Sequence, residues 1–214
     1  MSNFQFAKLS FRFAKTADQP IVNWLVCAWT ASLVGFTFLC SCAIIPTEAI
    51  HMDIRIAGLV NDSIVDGPGF RLAVFTQGCP HNCEGCHNPE THDFNGGSVK
   101  DTAEIIKMMN DNPLLDGITL SGGDPFCQPA PCIELAKAAH KLGLNVLAYS
   151  GWTYEEIMAD ADMAALGKEL DVLIDGPFIL AQRTLDKRFM GSKNQRAIDI
   201  KKSLERGEAV ELTL

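Results

Sequence analysis

Three cysteines stand close together at Cys79, Cys83 and Cys86, in the segment CPHNCEGC over residues 79–86. The C-x3-C-x2-C spacing lets one loop wrap the corner of an iron–sulfur cubane, each thiolate meeting a different iron. No fourth cysteine falls within the loop, so a 4Fe–4S cluster held there keeps one iron for a small chelating molecule. Zinc held by the three cysteines and one of His81, His87 or His92 satisfies the same spacing and stays open at this point. A second feature is SGGDP over residues 121–125. Gly122 and Gly123 remove side chains where a backbone must approach a ligand closely, and they tolerate positive φ. Asp124 is suited either to an ammonium group of a ligand or to fixing the turn. Taken alone, such a turn is also an ordinary strand-to-helix connection.

The elements that must position these residues follow from hydrophobic rhythm and turn chemistry. Residues 54–60 form a short apolar strand, Asp66-Gly67-Pro68-Gly69 a turn, and residues 71–76 a buried-type strand ending at Gly78. The cysteine loop closes at Asn95-Gly96-Gly97. A helix starts near Asp101, with Glu104 placed as its capping-box partner. Residues 117–121 form a strand, 130–142 a helix stopped by Gly143, and 144–149 a strand. Thr153 with Glu156 opens another helix, 171–174 is a strand, and 194–200 a further one before a short helix and an end strand over 209–212. Strands separated by helices imply parallel pairing with right-handed crossovers, and so few units suggest a partial rather than a complete (β/α) barrel. The cysteine loop, the turn at 121–124, Tyr149-Ser150-Gly151 and Asp175-Gly176 all follow strands, at the end where such folds build active sites. Zinc accounts for the cysteines but not for that convergence.

The whole chain has 214 residues, 47% hydrophobic and 21% charged, with a formal net charge of −8. That suffices for one core and argues against a nucleic-acid binder, which needs a basic face. The eight cysteines are unevenly placed: Cys27, Cys40 and Cys42 lie in an apolar stretch, and Cys127 and Cys132 stand apart from the triplet. A chain of this size needs no disulfide staple, so the distribution favours metal chemistry in a reducing, cytoplasmic setting. Cys127 and Cys132 read as small hydrophobes, Trp152 and Tyr154 as packing or partner surface, and His140 as structural or solvent-facing. Arg71 reads as the partner of a nearby carboxylate.

Residues 1–51 differ in character. No charge occurs from 21 to 45, a length that suffices to span a bilayer, and Lys8, Arg12 and Lys15 precede it. Three readings compete: an upstream start codon wrongly chosen before Met52, a membrane anchor, and a signal peptide. The first is favoured, because Met52 opens a natural soluble-domain start. A membrane role arises only if residues 21–45 are translated.

The triplet followed by a Gly-Gly-acidic turn resembles the radical S-adenosylmethionine superfamily. Asp66-Gly67-Pro68-Gly69, Arg71, Gly78-Cys79 and Cys86-His87-Asn88 are similar to the activating enzymes of glycyl-radical proteins. Ser121–Pro125 of the turn, Asp175-Gly176, Gly191-Ser192 and Asn194-Gln195 resemble the branch that activates anaerobic ribonucleoside-triphosphate reductases. The likeness runs from Met52 to the C terminus. It implies a radical-S-adenosylmethionine-type partial (β/α) barrel in one soluble domain over 52–214, a 4Fe–4S cluster on Cys79, Cys83 and Cys86, and S-adenosylmethionine as second cofactor. It further implies reductive cleavage to methionine and a 5′-deoxyadenosyl radical, which takes a hydrogen from a glycine of the partner reductase. Gly85, Cys86, His87, Gly122, Gly123, Asp124 and Ser150 become the expected S-adenosylmethionine contacts, and flavodoxin or ferredoxin the expected electron donor. Asp66 and its turn become a candidate contact for the partner's glycine loop. Gly85 departs from the superfamily, where an aromatic residue often precedes the third cysteine; His87 is the substitute for that flat contact. The rival readings are an activase of the pyruvate formate-lyase type and a non-enzymatic zinc or iron–sulfur module.

Overall fold

The computed structural model describes residues 52–214; the readings made for residues 1–51 lie outside the described residues. A seven-stranded sheet organises the domain, in the order β3-β1-β2-β4-β5-β6-β7. Its strands are β1 (Asp53–Ser63), β2 (Arg71–Thr76), β3 (Ser98–Asp101), β4 (Gly117–Gly122), β5 (Asn145–Tyr149), β6 (Val172–Asp175) and β7 (Arg196–Asp199). The four strands β2, β4, β5 and β6 are parallel neighbours. Antiparallel strands flank them, β1 and β3 at one edge and β7 at the other. The result is a single mixed α/β sheet, with parallel pairing confined to its centre.

Helices α1 (Thr102–Asp111), α2 (Pro129–Lys141), α3 (Tyr154–Ala159), α4 (Ala161–Gly167) and α5 (Ile200–Arg206) complete the domain. Alternate residues of each strand point to opposite faces. Leu72, Val74, Ile118, Leu120, Val146, Ala148 and Leu173 pack in one core with Ile105 and Met109 of α1 and Leu135 and Ala139 of α2. Leu147, Ile174 and Ala197 form a smaller cluster on the opposite face, with Tyr149, Met190, Leu212 and Leu214 against it. Burial on both faces explains why β2 carries the unbroken apolar run Leu72–Phe75.

The helix ends follow local chemistry. Thr153 and Glu156 form the expected capping box of α3, and Gly143, at φ 76°, follows α2. At α1 the cap is Asp101, whose side chain accepts from the Ala103 N–H; Glu104 is drawn instead to Lys100 Nζ, 3.0 Å away. The helix opened by Thr153 is short because Asp160 caps a second one, accepting from Asp162 N–H and Met163 N–H. The expected end strand over 209–212 is reduced to one bridge, Ile198 to Glu211. Strand β3 has no counterpart in the sequence reading.

Arg71 departs from expectation. Its side chain is 1% exposed, and its guanidinium donates to Thr119 Oγ1 (2.6 Å), Pro68 O (3.1 Å), Asn145 O (3.2 Å), Asn145 Oδ1 (3.1 Å) and Ile118 O. None of these acceptors is a carboxylate. The pattern ties the turn after Asp66 to the starts of β4 and β5, and burial lowers the Arg71 pKa to about 10. Substituting Arg71→Met keeps the side-chain length and strips every donor. Leaving several buried acceptors without a partner is expected to cost about 3 kcal/mol. Urea unfolding of the two proteins measures it, and a loss below about 1 kcal/mol would contradict this account of the anchor.

Candidate active site

The cysteine loop leaves β2 at Gln77, which is 2% exposed. Gln77 Nε2 donates to Glu90 O (3.0 Å) and Asp93 O (2.6 Å), bracing the loop from inside. Gln128 in turn donates to Gln77 O (3.0 Å) and Arg55 O (2.8 Å). The loop's base is closed by Gly78 N–H to Thr91 O (2.8 Å) and Cys79 N–H to His92 O (3.3 Å). Gly78 has φ 98°, and a Cβ there would meet the Phe94 ring at 2.6 Å, so only glycine fits.

The turn after β4 is bolted to the same base. Gly123 N–H donates to Thr76 O (2.7 Å) and Asp124 N–H to Gly78 O (2.8 Å). A Cβ on Gly122 would come within 2.6 Å of the Phe75 backbone, and one on Gly123 would strike the Gly78 carbonyl oxygen. Both glycines are required first by chain against chain, while both also line the cleft described below.

Asp124 is 1% exposed. Its carboxylate accepts from Phe126 N–H (3.0 Å), Ser150 Oγ (3.0 Å), Gly151 N–H (2.9 Å) and His81 Nε2 (2.9 Å). A carboxylate accepts only, so the His81 proton sits on Nε2. Ser150 Oγ also accepts from Trp152 N–H at 3.1 Å, so this hydroxyl too is engaged within the protein. Of the two uses foreseen for Asp124, its bonding pattern matches fixing the turn.

A cleft of about 780 Å³ opens where β2, β4 and β5 end, the end at which parallel α/β sheets bind ligands. Cys79, Cys83, Cys86, His87, Gly122, Gly123, Asp124 and Ser150 all line it. Gly85 does not. It is exposed, with φ 72°, and a Cβ there would meet the Leu180 side chain at 3.0 Å. Gly176 lines the cleft, whereas the Asp175 carboxylate turns away to Arg196 Nη2 (2.5 Å) and Tyr154 N–H (2.8 Å). Of the residue pair expected there, only the glycine faces the mouth. Tyr154 is correspondingly buried, and His140 lies on the exterior 3.1 Å from Asp171.

The donor set fits an iron–sulfur cluster. Cys79, Cys83 and Cys86 are free thiols on one cleft wall. The Asn88 N–H already points at Cys86 Sγ, 3.4 Å away. Such bonds support thiolate charge and tune cluster potential. Burial pushes the metal-free Cys79 thiol up, so loading must displace its proton. Among the described residues, no three His, Cys, Asp or Glu side chains converge as a single metal ion requires. A cubane has no such requirement, since its thiolates meet different irons. Cys132 is buried in the main core. Cys127 is half-buried, and burial raises its thiol to about 12.

Sequence reasoning missed several contributors. Gln77 and Gln128 bear no motif that marks them. Phe178 packs on His87 with ring centroids 5.0 Å apart. His81 was weighed only as a zinc ligand; its place between two cysteines was the available signal.

A loop of three cysteines and a Gly-Gly-Asp turn bonded to it line one cleft, the arrangement expected of single-cluster enzymes that use S-adenosylmethionine. A family profile described as "4Fe-4S single cluster domain" matches residues 65–198, more than half the chain, and the chain belongs to that family. It is 33% identical over 141 residues to the anaerobic ribonucleoside-triphosphate reductase-activating protein of Escherichia coli (strain K12), covering 62% of this chain and 90% of that protein. The protein of the same name from Salmonella typhi is 36% identical over 140 residues, with 62% and 90% covered. The pyruvate formate-lyase-activating enzyme of Clostridium pasteurianum is 35% identical over 121 residues, 52% of this chain but only 51% of that enzyme. The chain is thus a radical S-adenosylmethionine enzyme, with a 4Fe–4S cluster and S-adenosylmethionine as cofactors, that activates a glycyl-radical enzyme. Among the described residues, no helix is long and apolar enough to cross a membrane.

Proposed function

We propose that this protein activates an anaerobic ribonucleoside-triphosphate reductase by installing a glycyl radical on it. The observation that carries the choice of partner is length: the likeness to the reductase-activating proteins spans 90% of the E. coli protein, against 51% of the pyruvate formate-lyase-activating enzyme.

In this reading residues 52–214 are the activase domain, their sheet a partial (β/α) barrel of the radical S-adenosylmethionine type. Cys79, Cys83 and Cys86 hold the cluster. When bound and reduced, the cluster supplies the electron that splits S-adenosylmethionine into methionine and a 5′-deoxyadenosyl radical. The Gly122–Gly123 backbone offers its groups to the methionyl end, and Cys86 and His87 flank the nucleoside, with Phe178 backing the His87 ring. Gly85 contributes through its left-handed backbone, which turns the chain between Cys83 and Cys86. Asp124 and Ser150 contribute by holding the turn. The cleft walls exclude water and oxygen from the radical. Flavodoxin or ferredoxin supplies the electron, and the cytoplasm is the compartment, where free thiols persist.

Anaerobic incubation with the reductase, S-adenosylmethionine and a reductant tests the proposal. A glycyl-radical EPR signal on the reductase is the expected result. A reductase left silent while a pyruvate formate-lyase responds would overturn the choice of partner.

A further inference from the structure

We propose that His81 is a positioning residue, whose Nε2–H bond to Asp124 sets the cysteine loop in register with the turn that faces S-adenosylmethionine. The inference rests on the reading of the cleft as a cluster and S-adenosylmethionine site, and adds to it a residue that the expected ligand set leaves out.

The cluster ligands and the Gly122–Asp124 turn lie far apart in sequence, on separate loops. Their bases are joined by main-chain bonds from Gly123 to Thr76 and from Asp124 to Gly78. The loop apex, between Cys79 and Cys83, is reached differently. His81 extends from it to Asp124, 43 residues away in the chain, with Nε2 2.9 Å from Oδ2. Its ring stands edge-on to Trp152, centroids 4.4 Å apart and planes 72° apart. On another side it lies over Gly151, where any Cβ would strike it. In the loop itself His81 stands two residues from Cys79 and two from Cys83. One residue therefore belongs to the loop that carries the cluster ligands and touches the ligand-facing turn through its side chain.

Asp124 spreads that connection. Its other bonds go to Phe126, Ser150 and Gly151, so His81 closes a network joining the ends of β2, β4 and β5. Asn82, the next residue, has φ 45°, so the apex makes a tight left-handed bend that leaves His81 aimed inward. Chemistry between two groups held on separate loops depends on their relative placement to a fraction of an ångström. The His81 bond is suited to set that placement, and it asks for a hydrogen-bond donor rather than a charge.

The test compares wild type, His81→Gln and His81→Phe as full chains reconstituted anaerobically. Glutamine keeps a donor near Nε2; phenylalanine keeps the flat ring between Trp152 and Gly151. Iron content, equilibrium affinity for S-adenosylmethionine and the change it causes in the reduced-cluster EPR spectrum are measured. All three proteins are expected to carry a full cluster. The Gln variant is expected to bind within about twofold of wild type. The Phe variant should bind about tenfold more weakly, as loss of one bond to a charged acceptor implies, with an attenuated spectral change. Wild-type affinity and spectrum in the Phe variant would overturn the proposal. Equal weakening in both variants would overturn it too, by showing that a retained donor does not preserve affinity. Iron loss in both would overturn it by making His81 a cluster-holding residue. A wild-type spectrum unmoved by S-adenosylmethionine would instead remove the underlying reading of the site.

Discussion

Alanine in place of Cys79, Cys83 or Cys86, one at a time, is expected to abolish reductive cleavage of S-adenosylmethionine while the fold survives. Each thiol lines the cleft, and with three protein ligands there is no spare to take over a lost one. The fold is expected to survive because the loop is braced elsewhere, by Gln77 and by the bonds from Gly78 and Cys79 to residues 91 and 92. Cys127→Ala is the control. Cys127 adjoins the turn, but burial raises its thiol to about 12 and keeps it protonated at neutral pH, so cleavage should persist. Methionine release under anaerobic reducing conditions is the assay, with circular dichroism as the check on folding. Full activity in any of the three variants would sink the cluster assignment, and loss of activity in the Cys127 variant would enlarge the ligand set.

Gly123→Ala is expected to be nearly as damaging to S-adenosylmethionine binding, for a steric reason. The added methyl would strike the Gly78 carbonyl, and its next nearest neighbours, at 2.9 and 3.0 Å, are also Gly78 backbone atoms. Backbone cannot rotate out of the way as a side chain can, so either the turn or the base of the cysteine loop must shift. Overpacking of this kind costs about 1–3 kcal/mol in stability, and affinity should fall by more than tenfold as the turn leaves its place. Gly143→Ala separates steric from conformational effects. Its φ is 76° with no atom within 4 Å of the new Cβ, so it carries only the left-handed penalty of about 1–2 kcal/mol and should leave affinity unchanged. Wild-type affinity in the Gly123 variant would show that the turn tolerates displacement.

How much of this could be read in advance depended on the range of the interaction concerned. The cysteine spacing, the SGGDP turn, the Thr153–Glu156 cap and the stop at Gly143 are local patterns, and each appears in the structure. Pairing direction is not local. β7 runs antiparallel to β6 because residues 176–195 carry the chain along the cleft rim without a crossover helix, and nothing within β7 records that. β3 is short and half charged, and it is a strand only because β1 extends far enough to pair with it. Polar anchoring was the hardest to see. An arginine beside a Gly-rich turn suggests an ion pair, yet Arg71 finds its acceptors in carbonyls and side chains as distant as Asn145. Asp124 and His81 meet across 43 positions, a relation that spacing alone cannot express.

The bracing of the cysteine loop by protein alone has a consequence for the life of the enzyme in air. Gln77, Thr91 and His92 tie the base of the loop by bonds between protein groups, whereas the fold of small zinc domains exists only with the metal. Loss of the cluster to oxygen is therefore expected to leave the domain folded, which circular dichroism of the air-exposed protein checks. Rebuilding the cluster on that same polypeptide with iron and sulfide is then expected to restore its activity.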